Sequence, residues 1–569
     1  MSRAMGNGWA RRKFGAWVTI AGSAALLAAC GGGGGGGGGA TPEPSGGTAP
    51  GNVVLQGTAA TGLAIAGATV EARCASGNGS ASTASDGRFT ITINGGSLPC
   101  VLRVTAPGGA VLHSGAEGSG SGSVTANLSP LSELMLGRVA GSDAASLFAN
   151  FDAAAQARIT AAALGQARSE LRQALVGVLD LGTLDPLKDA LVAATPGTTG
   201  NAFDQTLDQL QAALASARLT LDDLKLMVQA DPAVAAVVVS SQLRPAAQNC
   251  AALRSGTYRW LDFGASGAAR ISTVTVDAEQ LTVSFPNGTV LSGTAADECR
   301  YSALSGSVTL LVAPSGVVIV RYNDLTNAGR LAIAFPEQAL PLSQLAGTWN
   351  FISYDNDAGQ AATFNPAHGA LTVGASGAVS ADNVCRLPFS FGCEDVPANE
   401  LGSFSADASG GFSYLGLFDD GPTRFFVYRT ASGELLGVGL SPDAGGVVVA
   451  TLQRTLALPA VGNVTNFWNF GIGSTGVASA IGDSSVTIQA ADATAGTYTR
   501  VRASDGRVDS LAINQPRTGM RLRAAGSSVL TNGQTLSFAE MISLPVPGVR
   551  VYILHSGING TLGVSVTKP

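Results

Sequence analysis

Apolar and polar positions alternate with a period of two in short runs between residues 53 and 128. Turn residues such as Asp86-Gly87 separate these runs. A period of two is that of strands with one buried face, and an Asp-Gly pair is typical of a tight hairpin turn. The pattern predicts a small β-sandwich over residues 53–128, with strands at 53–55, 68–72, 89–93 and 101–104.

The spacing of apolar residues changes to three and four after residue 128. Ser129-Pro130 combines a capping hydroxyl with a proline in the first turn, which is typical of a helix start. We therefore predict about five helices, packed as a bundle, over residues 129–245. One of the apolar stripes that indicate these helices consists of Leu164, Ala167, Leu171, Leu175 and Val178.

Strand periodicity returns after Cys250, together with an internal repeat. The opening Gly256-Thr257-Tyr258-Arg259-Trp260 is matched by Gly347-Thr348-Trp349-Asn350-Phe351. A cysteine follows the opening glycine after 43 residues in the first copy, at Cys299, and after 38 in the second, at Cys385. A third, more divergent opening is 466–470. We infer a duplication with β units at 250–343, 344–458 and 459–569, in which Trp260, Trp349 and Trp468 are core residues.

These patterns together predict a multidomain α+β protein. A small β-sandwich is followed by a helical bundle and by two or three antiparallel β units, each a barrel or a sandwich. Residues 65–70 and 83–89 also resemble the carboxypeptidase regulatory-like domain, an immunoglobulin-type sandwich. That resemblance covers only residues 53–128. It implies a spacer or a binding platform and assigns no catalytic residue.

The Gly-Thr-Trp opening at Gly347 is similar to the first strand of lipocalin-like barrels, in which the tryptophan packs across the closed end of the barrel. The resemblance implies a carrier of a small apolar ligand. The alternative is that each tryptophan fills the core of a solid β unit. A carrier needs an apolar cavity of roughly 300 Å³ or more, whereas a small barrel is filled by its own side chains.

The beginning of the chain resembles the signal peptide of bacterial lipoproteins. Basic residues Arg3, Arg11, Arg12 and Lys13 precede a short apolar run, and the run ends in Leu26-Leu27-Ala28-Ala29-Cys30. The run is about 14 residues long, too short for a membrane-spanning helix. The resemblance implies a signal peptide at 1–29, lipidation of Cys30 and a Gly/Pro-rich tether over 30–52. Gly31 implies the outer membrane, because family members retained in the inner membrane carry aspartate there.

Composition and charge narrow the possible partners. Only 13% of the residues are charged and there are 75 glycines, which favours turns and short strands. Without residues 1–29 the chain has 29 Lys and Arg against 39 Asp and Glu, a net charge of −10. Such a chain repels anionic polymers, so we predict no nucleic-acid partner. The predicted partners are the membrane, through the lipid anchor, and an envelope protein or glycan. The oligomeric state stays open.

Six cysteines follow Cys30, and their even number in an exported chain predicts disulfides. Fifteen pairings are possible, and proximity along the chain favours Cys74 with Cys100, Cys250 with Cys299, and Cys385 with Cys393. Close C-x-x-C pairs, as in zinc sites, are missing from the sequence. Asp355 and Asp357 are candidate ligands for calcium, but the closing glutamate of an EF-hand loop is missing, so we assign them to a turn. No cofactor is predicted.

The sequence offers no credible catalytic set. No serine lies in a G-x-S-x-G motif, and the three histidines follow no catalytic pattern. We therefore expect a non-enzymatic envelope lipoprotein of binding or scaffolding type. The alternative is the lipocalin-like carrier, and an envelope enzyme comes third.

Overall fold

The computed structural model describes residues 51–569 apart from 142, 264–269, 324–330, 357–363, 387–392, 416–421, 441–445, 474–477 and 557–558. Cys30, the signal peptide, nearly all of the tether and Asp357 therefore lie outside the described residues, as does the side chain of Asp355. Gly51–Pro569 forms one compact unit. Of the helices described, none has the length and apolar character that crossing a membrane requires.

Two sheets enclose the first core. The three-stranded sheet has the order β4-β1-β7, with β1 parallel to β7, and the four-stranded sheet has the order β3-β2-β5-β6. Their alternating buried residues, among them Leu55, Ile91 and Leu102, share one apolar cluster. The strands are β1 Val53–Thr58, β2 Thr69–Ser76, β3 Asn78–Ser82, β4 Arg88–Ile93, β5 Ser97–Thr105, β6 Val111–Gly120 and β7 Gly122–Thr125.

Seven helices are described between residues 130 and 242, against about five expected, and one of them has only four residues. Ser129 caps the first helix through a reciprocal pair of hydrogen bonds with Ser132, and Pro130 is its first residue. The helices are α1 Pro130–Ala140, α2 Ala144–Ala149, α3 Ala153–Gln156, α4 Ala161–Leu175, α5 Ala202–Ala217, α6 Leu221–Val228 and α7 Pro232–Gln242.

The first unit of the C-terminal β region, here called unit 1, is a closed eight-stranded barrel preceded by a short hairpin. Every neighbouring pair is antiparallel, and β17 closes the barrel by pairing with β10. The hairpin is β8 Ala246–Ala247 and β9 Cys250–Arg254. The barrel strands are β10 Gly256–Asp262, β11 Ile271–Asp277, β12 Thr282–Ser284, β13 Val290–Asp297, β14 Arg300–Ala303, β15 Val308–Val312, β16 Val318–Tyr322 and β17 Leu331–Pro336.

Unit 2 is a nine-stranded sheet in the order β21-β20-β19-β18-β26-β25-β24-β23-β22. A bridge between Ala378 and Ser403 joins the two sides of the sheet at one end, so the sheet curls into a nearly closed barrel. Its strands are β18 Gly347–Asn356, β19 Phe364–Val373, β20 Val379–Arg386, β21 Cys393–Asp395, β22 Ser403–Ala406, β23 Phe412–Leu415, β24 Thr423–Arg429, β25 Leu435–Leu440 and β26 Val447–Leu452.

Unit 3 is a second closed eight-stranded barrel, in the order β27-β28-β29-β30-β31-β34-β35-β36, with the separate hairpin β32-β33 inserted after β31. Its strands are β27 Val464–Ile472, β28 Gly482–Asp492, β29 Thr497–Arg502, β30 Val508–Ile513, β31 Arg521–Arg523, β32 Gly526–Val529, β33 Thr535–Phe538, β34 Glu540–Val546, β35 Val549–Ser556 and β36 Asn559–Thr567. The chain is therefore mostly β, with barrels in its C-terminal region.

The outer walls of the three β units are apolar and pack against one another in one continuous core, here called the shared core. Ile333 of unit 1, Val438 of unit 2 and Leu544 of unit 3 all belong to it. Tyr428 marks the meeting of units 1 and 2, because its ring stacks on Phe335 at 5.7 Å and its hydroxyl donates to the carbonyl of Ser315. The Ser315 hydroxyl in turn donates to the carbonyl of Pro547 in unit 3 at 2.7 Å.

Candidate binding sites inside the β units

Apolar side chains fill the interior of unit 1. The barrel contains a cavity of about 30 Å³, enough for about one water molecule, lined by Tyr258, Trp260, Tyr301 and surrounding aliphatic residues. Trp260 packs edge-on against Phe285 with a ring-centre distance of 5.2 Å. Burial raises the pKa of Tyr258 to about 12, so its hydroxyl stays neutral. An apolar ligand of ordinary size would have to displace these side chains.

Aromatic rings fill the interior of unit 2. Trp349 is 1% exposed, donates from Nε1 to the Leu345 carbonyl at 2.8 Å, and meets the Phe425 ring edge-on at 6.0 Å. The ring centre of Phe404 lies 5.4 Å from that of Phe425. Gly437 leaves room for Phe425, because a Cβ there would lie 2.3 Å from that ring. Both described interiors are therefore packed cores.

The three tryptophans of the repeat openings do not occupy equivalent places. Trp260 and Trp349 lie inside their units, and their opening glycines Gly256 and Gly347 share a positive φ of 141° and 131°. Trp468 is also fully buried, but it belongs to the shared core on the outer wall of unit 3. Alternation along β27 brings its neighbour Phe467 to the inner face instead.

The inner face of unit 3 is lined by arginines, which the sequence analysis did not identify. Strand pairing places Arg500 and Arg502 of β29 on the same face as Tyr498, and Arg521 and Arg523 of β31 opposite Ser543 and Met541 of β34. We use the name arginine cluster for six residues: Arg500, Arg502, Arg507, Arg521, Arg523 and Arg550. Their alternation with apolar residues is visible in Tyr498-Thr-Arg-Val-Arg502 and Arg521-Leu-Arg523.

Asp509 is the acid at the centre of the arginine cluster and is 4% exposed. Arg500 donates to it from Nε at 2.6 Å, and Arg523 and Arg507 reach its Oδ2 at 3.1 Å each. Burial alone would raise the pKa of Asp509, but the hydrogen bond and charge of Arg500, with the other two cations, lower it below its usual value. Asp509 is therefore ionised, and its carboxylate contacts three arginines.

The remaining arginines of the cluster have fewer polar partners. Arg502 pairs with Asp505 in the β29–β30 turn, with Nε 2.8 Å from Oδ1. Arg550 donates to the Ser565 hydroxyl at 3.0 Å and lies 5.4 Å from the Tyr552 ring centre. Arg521 lies 6.0 Å from the ring centre of Tyr498. Arg521 and Arg550 have no acidic partner among the ion pairs of the described residues.

A separate charged network lies outside the β units. His113 of β6 contacts Glu133 of α1 through Nδ1 at 2.8 Å, and Lys225 of α6 reaches the same carboxylate at 3.0 Å. Burial alone would raise the pKa of Glu133. The hydrogen bonds and charges of His113 and Lys225 lower it by a larger amount, so the net shift is downward. This network joins the first sheets to the helices.

The cysteines form three disulfides: Cys74–Cys100 between β2 and β5, Cys250–Cys299, and Cys385–Cys393 between β20 and β21. The described part of the chain contains no group of three or more His, Cys, Asp or Glu residues able to hold a metal ion.

No protein-family model and no curated protein match this chain. Among solved structures, a DUF3598-family protein of unknown function from Nostoc punctiforme is similar over 41% of this chain and 99% of its own, with 14% identity and a TM-score of 0.15. Transferrin binding protein B from Neisseria meningitidis is similar over 52% of this chain and 65% of its own, with 9% identity and a TM-score of 0.20. The protein of the same name from Haemophilus parasuis, as its Trp-176-Ala mutant, gives 8% identity over 53% of this chain and 67% of its own, with a TM-score of 0.16. Similarity this low carries no argument about function, which rests on the residues of this chain.

Proposed function

We propose that this chain is a non-enzymatic lipoprotein of the cell envelope, anchored in the outer membrane through Cys30, which displays its β units as a binding or scaffolding platform. The proposed domains are a signal peptide 1–29, a tether 30–52, an immunoglobulin-like sandwich 53–128, a helical region 129–245, and β units 250–343, 344–458 and 459–569. The proposed partner is an envelope protein or glycan.

The observation that supports the platform is the shared core. Three units that bury their outer walls against one another have a fixed relative geometry, and their exposed strands and loops then form one rigid surface. A carrier that acts within a single barrel does not require such packing between units, so the shared core favours the platform. The cavity of about 30 Å³ in unit 1 also argues against the carrier alternative, since it is about tenfold too small.

The anchor and the filled interiors can be tested on the full-length protein. We expect Cys30→Ser to abolish labelling by radioactive palmitate and to release the protein from the outer-membrane fraction, whereas Cys385→Ser should keep both properties. The purified mature chain should show no saturable quenching of tryptophan fluorescence with fatty acids or apolar dyes. Stoichiometric quenching that disappears in Trp260→Ala would replace the platform with a carrier.

A further inference from the structure

We propose that the interior of unit 3 binds a small anion rich in phosphate or sulfate oxygens through the arginine cluster. This binding site goes beyond the proposed platform, which stands whether or not the anion binds. Guanidinium groups recognise such oxyanions through paired, charge-assisted hydrogen bonds. The cluster brings six of these groups to one barrel interior, from strands β29, β31 and β35 and from the β29–β30 turn.

Positive charges outnumber negative charges inside the barrel. Six arginines face two acids, Asp505 and Asp509, which leaves four positive charges without a counter-charge. The other acids of unit 3 are used elsewhere: Asp483 pairs with Lys568, Asp492 caps a turn, and Glu540 alternates to the opposite face of β34 from Met541. The short segments of unit 3 outside the described residues, 474–477 and 557–558, contain no acidic residue.

The imbalance is confined to unit 3. Residues 459–569 have eight Lys and Arg against five Asp and Glu, a net charge of +3, although the chain from residue 30 onwards has a net charge of −10. A merely structural ion-pair network would contain matching numbers of acids, because an uncompensated charge inside a barrel is costly. The excess is therefore suited to a ligand that supplies several negative charges, such as a diphosphate, rather than to one carboxylate.

Several buried hydrogen-bond donors without partners lie at the same place. The Nε atoms of Arg507, Arg521, Arg523 and Arg550 are buried and have no hydrogen-bond partner. The hydroxyl of Ser543, a residue that is 0% exposed, is likewise buried without a partner. Ser543 lies directly opposite Arg521 on one side and Tyr552 on the other, on the inner face. Other arginines of the described chain also have an unpartnered buried Nε, but here four of them share one barrel interior with an unpartnered buried hydroxyl. Buried polar groups in native proteins are almost always hydrogen-bonded, so this group of donors indicates an acceptor.

The lowered pKa values of two arginines agree with this crowding of positive charge. Burial, together with the nearby charges of Arg500 and Arg521, lowers the pKa of Arg550 to about 10. Burial lowers the pKa of Arg507 to about 10 as well; Asp509 opposes this, and Arg502, Arg523 and Arg500 add to it. A bound anion would relieve the repulsion and raise both pKa values.

Solvent reaches the cluster at the end of the barrel that carries the β29–β30 turn. The side chains of Arg502 and Arg507 are 25% and 16% exposed there. Phe538 of the inserted hairpin lies over this end, with its ring 4.6 Å from the Arg523 guanidinium and 5.8 Å from that of Arg507. The hairpin thus borders the path that an anion would take.

The test uses the mature full-length protein in calorimetric titration and thermal unfolding with sodium diphosphate, sodium phosphate and glucose 1-phosphate, each against sodium chloride of equal ionic strength. We expect saturable binding of diphosphate with one site per chain and a raised Tm. Free inorganic anion as the natural ligand predicts that glucose 1-phosphate binds no better than phosphate. A phosphorylated glycan as the source predicts the reverse order.

Arg521→Gln is the decisive variant, because Arg521 has no acidic partner whose loss would confuse the result. Without anion its Tm should equal or exceed that of the wild type, since a repulsive charge is removed. Its affinity for diphosphate should fall about tenfold or more. Arg550→Lys, which keeps the charge, should lose less affinity. Arg88→Gln, an exposed arginine of the first sheets, is the matched control and should bind as the wild type does.

Two results would overturn the anion site. One is a diphosphate effect on the wild type no larger than that of chloride at the same ionic strength. The other is equal diphosphate affinity in Arg521→Gln and in Arg88→Gln, which would place any binding outside the barrel. A lowered Tm of Arg521→Gln without anion, combined with either result, would identify the cluster as structural.

Discussion

Units 1 and 3 are both closed eight-stranded antiparallel barrels, yet their interiors have opposite character. Unit 1 is filled by Tyr258, Trp260 and aliphatic side chains, whereas unit 3 has arginines around one buried aspartate. Their outer walls, in contrast, are alike, since both contribute apolar residues to the shared core. The outer walls thus determine the assembly of the β units, and the interiors are free to differ. The comparison separates residues that support the platform from residues that are available for a ligand.

The first prediction places a charge in the apolar outer wall that units 1 and 3 have in common. Leu544→Asp puts a carboxylate at a site with no exposed surface. It removes the packing of a leucine and buries an unpaired charge, so we expect a loss of about 5 kcal/mol or more in the free energy of unfolding. Urea denaturation measures it. Ser510→Asp, on the exposed outer face of the same barrel, is the control and should change stability by less than about 0.5 kcal/mol. Similar losses in both variants would contradict the shared core.

Substitutions inside the two barrels sharpen the comparison. Trp260→Ala should cost about 3–5 kcal/mol, because it empties the centre of a filled interior. Arg521→Ala in unit 3 should cost less than about 1 kcal/mol, because its charge is uncompensated and its lost packing is offset by relief of repulsion. Urea denaturation of the two variants under the same low-salt conditions measures both. An equal cost would mean that the interiors have the same structural role.

The third prediction concerns the acid of unit 3. Asp509→Asn leaves three arginines without their counter-ion, and we expect a loss of about 3 kcal/mol at pH 7. The pKa of Asp509 is lowered by folding, so its contribution is present above about pH 4 and is lost as the pH falls through the lower, folded-state pKa. The stabilities of wild type and variant should therefore converge in acid. A difference that stays constant as the pH falls well below about 4 would mean that the charge of Asp509 is not the cause.

Local patterns were sufficient to predict the kinds of element. The period of two after Cys250 predicted antiparallel β-structure, and Ser129-Pro130 predicted the start of α1 at Pro130. The same pattern left open whether these strands close into barrels or stack as sandwiches, because both arrangements have a period of two. The number of helices was underestimated, because short helices such as α3, with four residues, contain too few positions for a stripe.

The sequence could not predict which face of a strand points inward. Arg500 and Arg502 alternate with neighbours of lower polarity, and the usual reading directs charged residues outward. On part of the wall of unit 3 the charged residues point inward and the apolar residues point outward, because units 1 and 2 cover its outer face. The position of Trp468 was not predictable for the same reason. Its size indicates burial, but burial occurs between units as well as inside them. Only the packing of one unit on another decides between the two faces, and that information is not local.

The shared core also has a consequence for the order in which the protein matures. Unit 1 is synthesised before units 2 and 3, and until they are made its outer wall, including Leu311, Ile319 and Ile333, has no cover. The last strand of unit 3, β36, both closes its barrel on β27 and adds Val564 and Val566 to that cover. A partly synthesised chain thus exposes a continuous apolar surface of the kind that holding chaperones bind. The stage before β36 is complete is therefore the one at which this architecture is most vulnerable to aggregation.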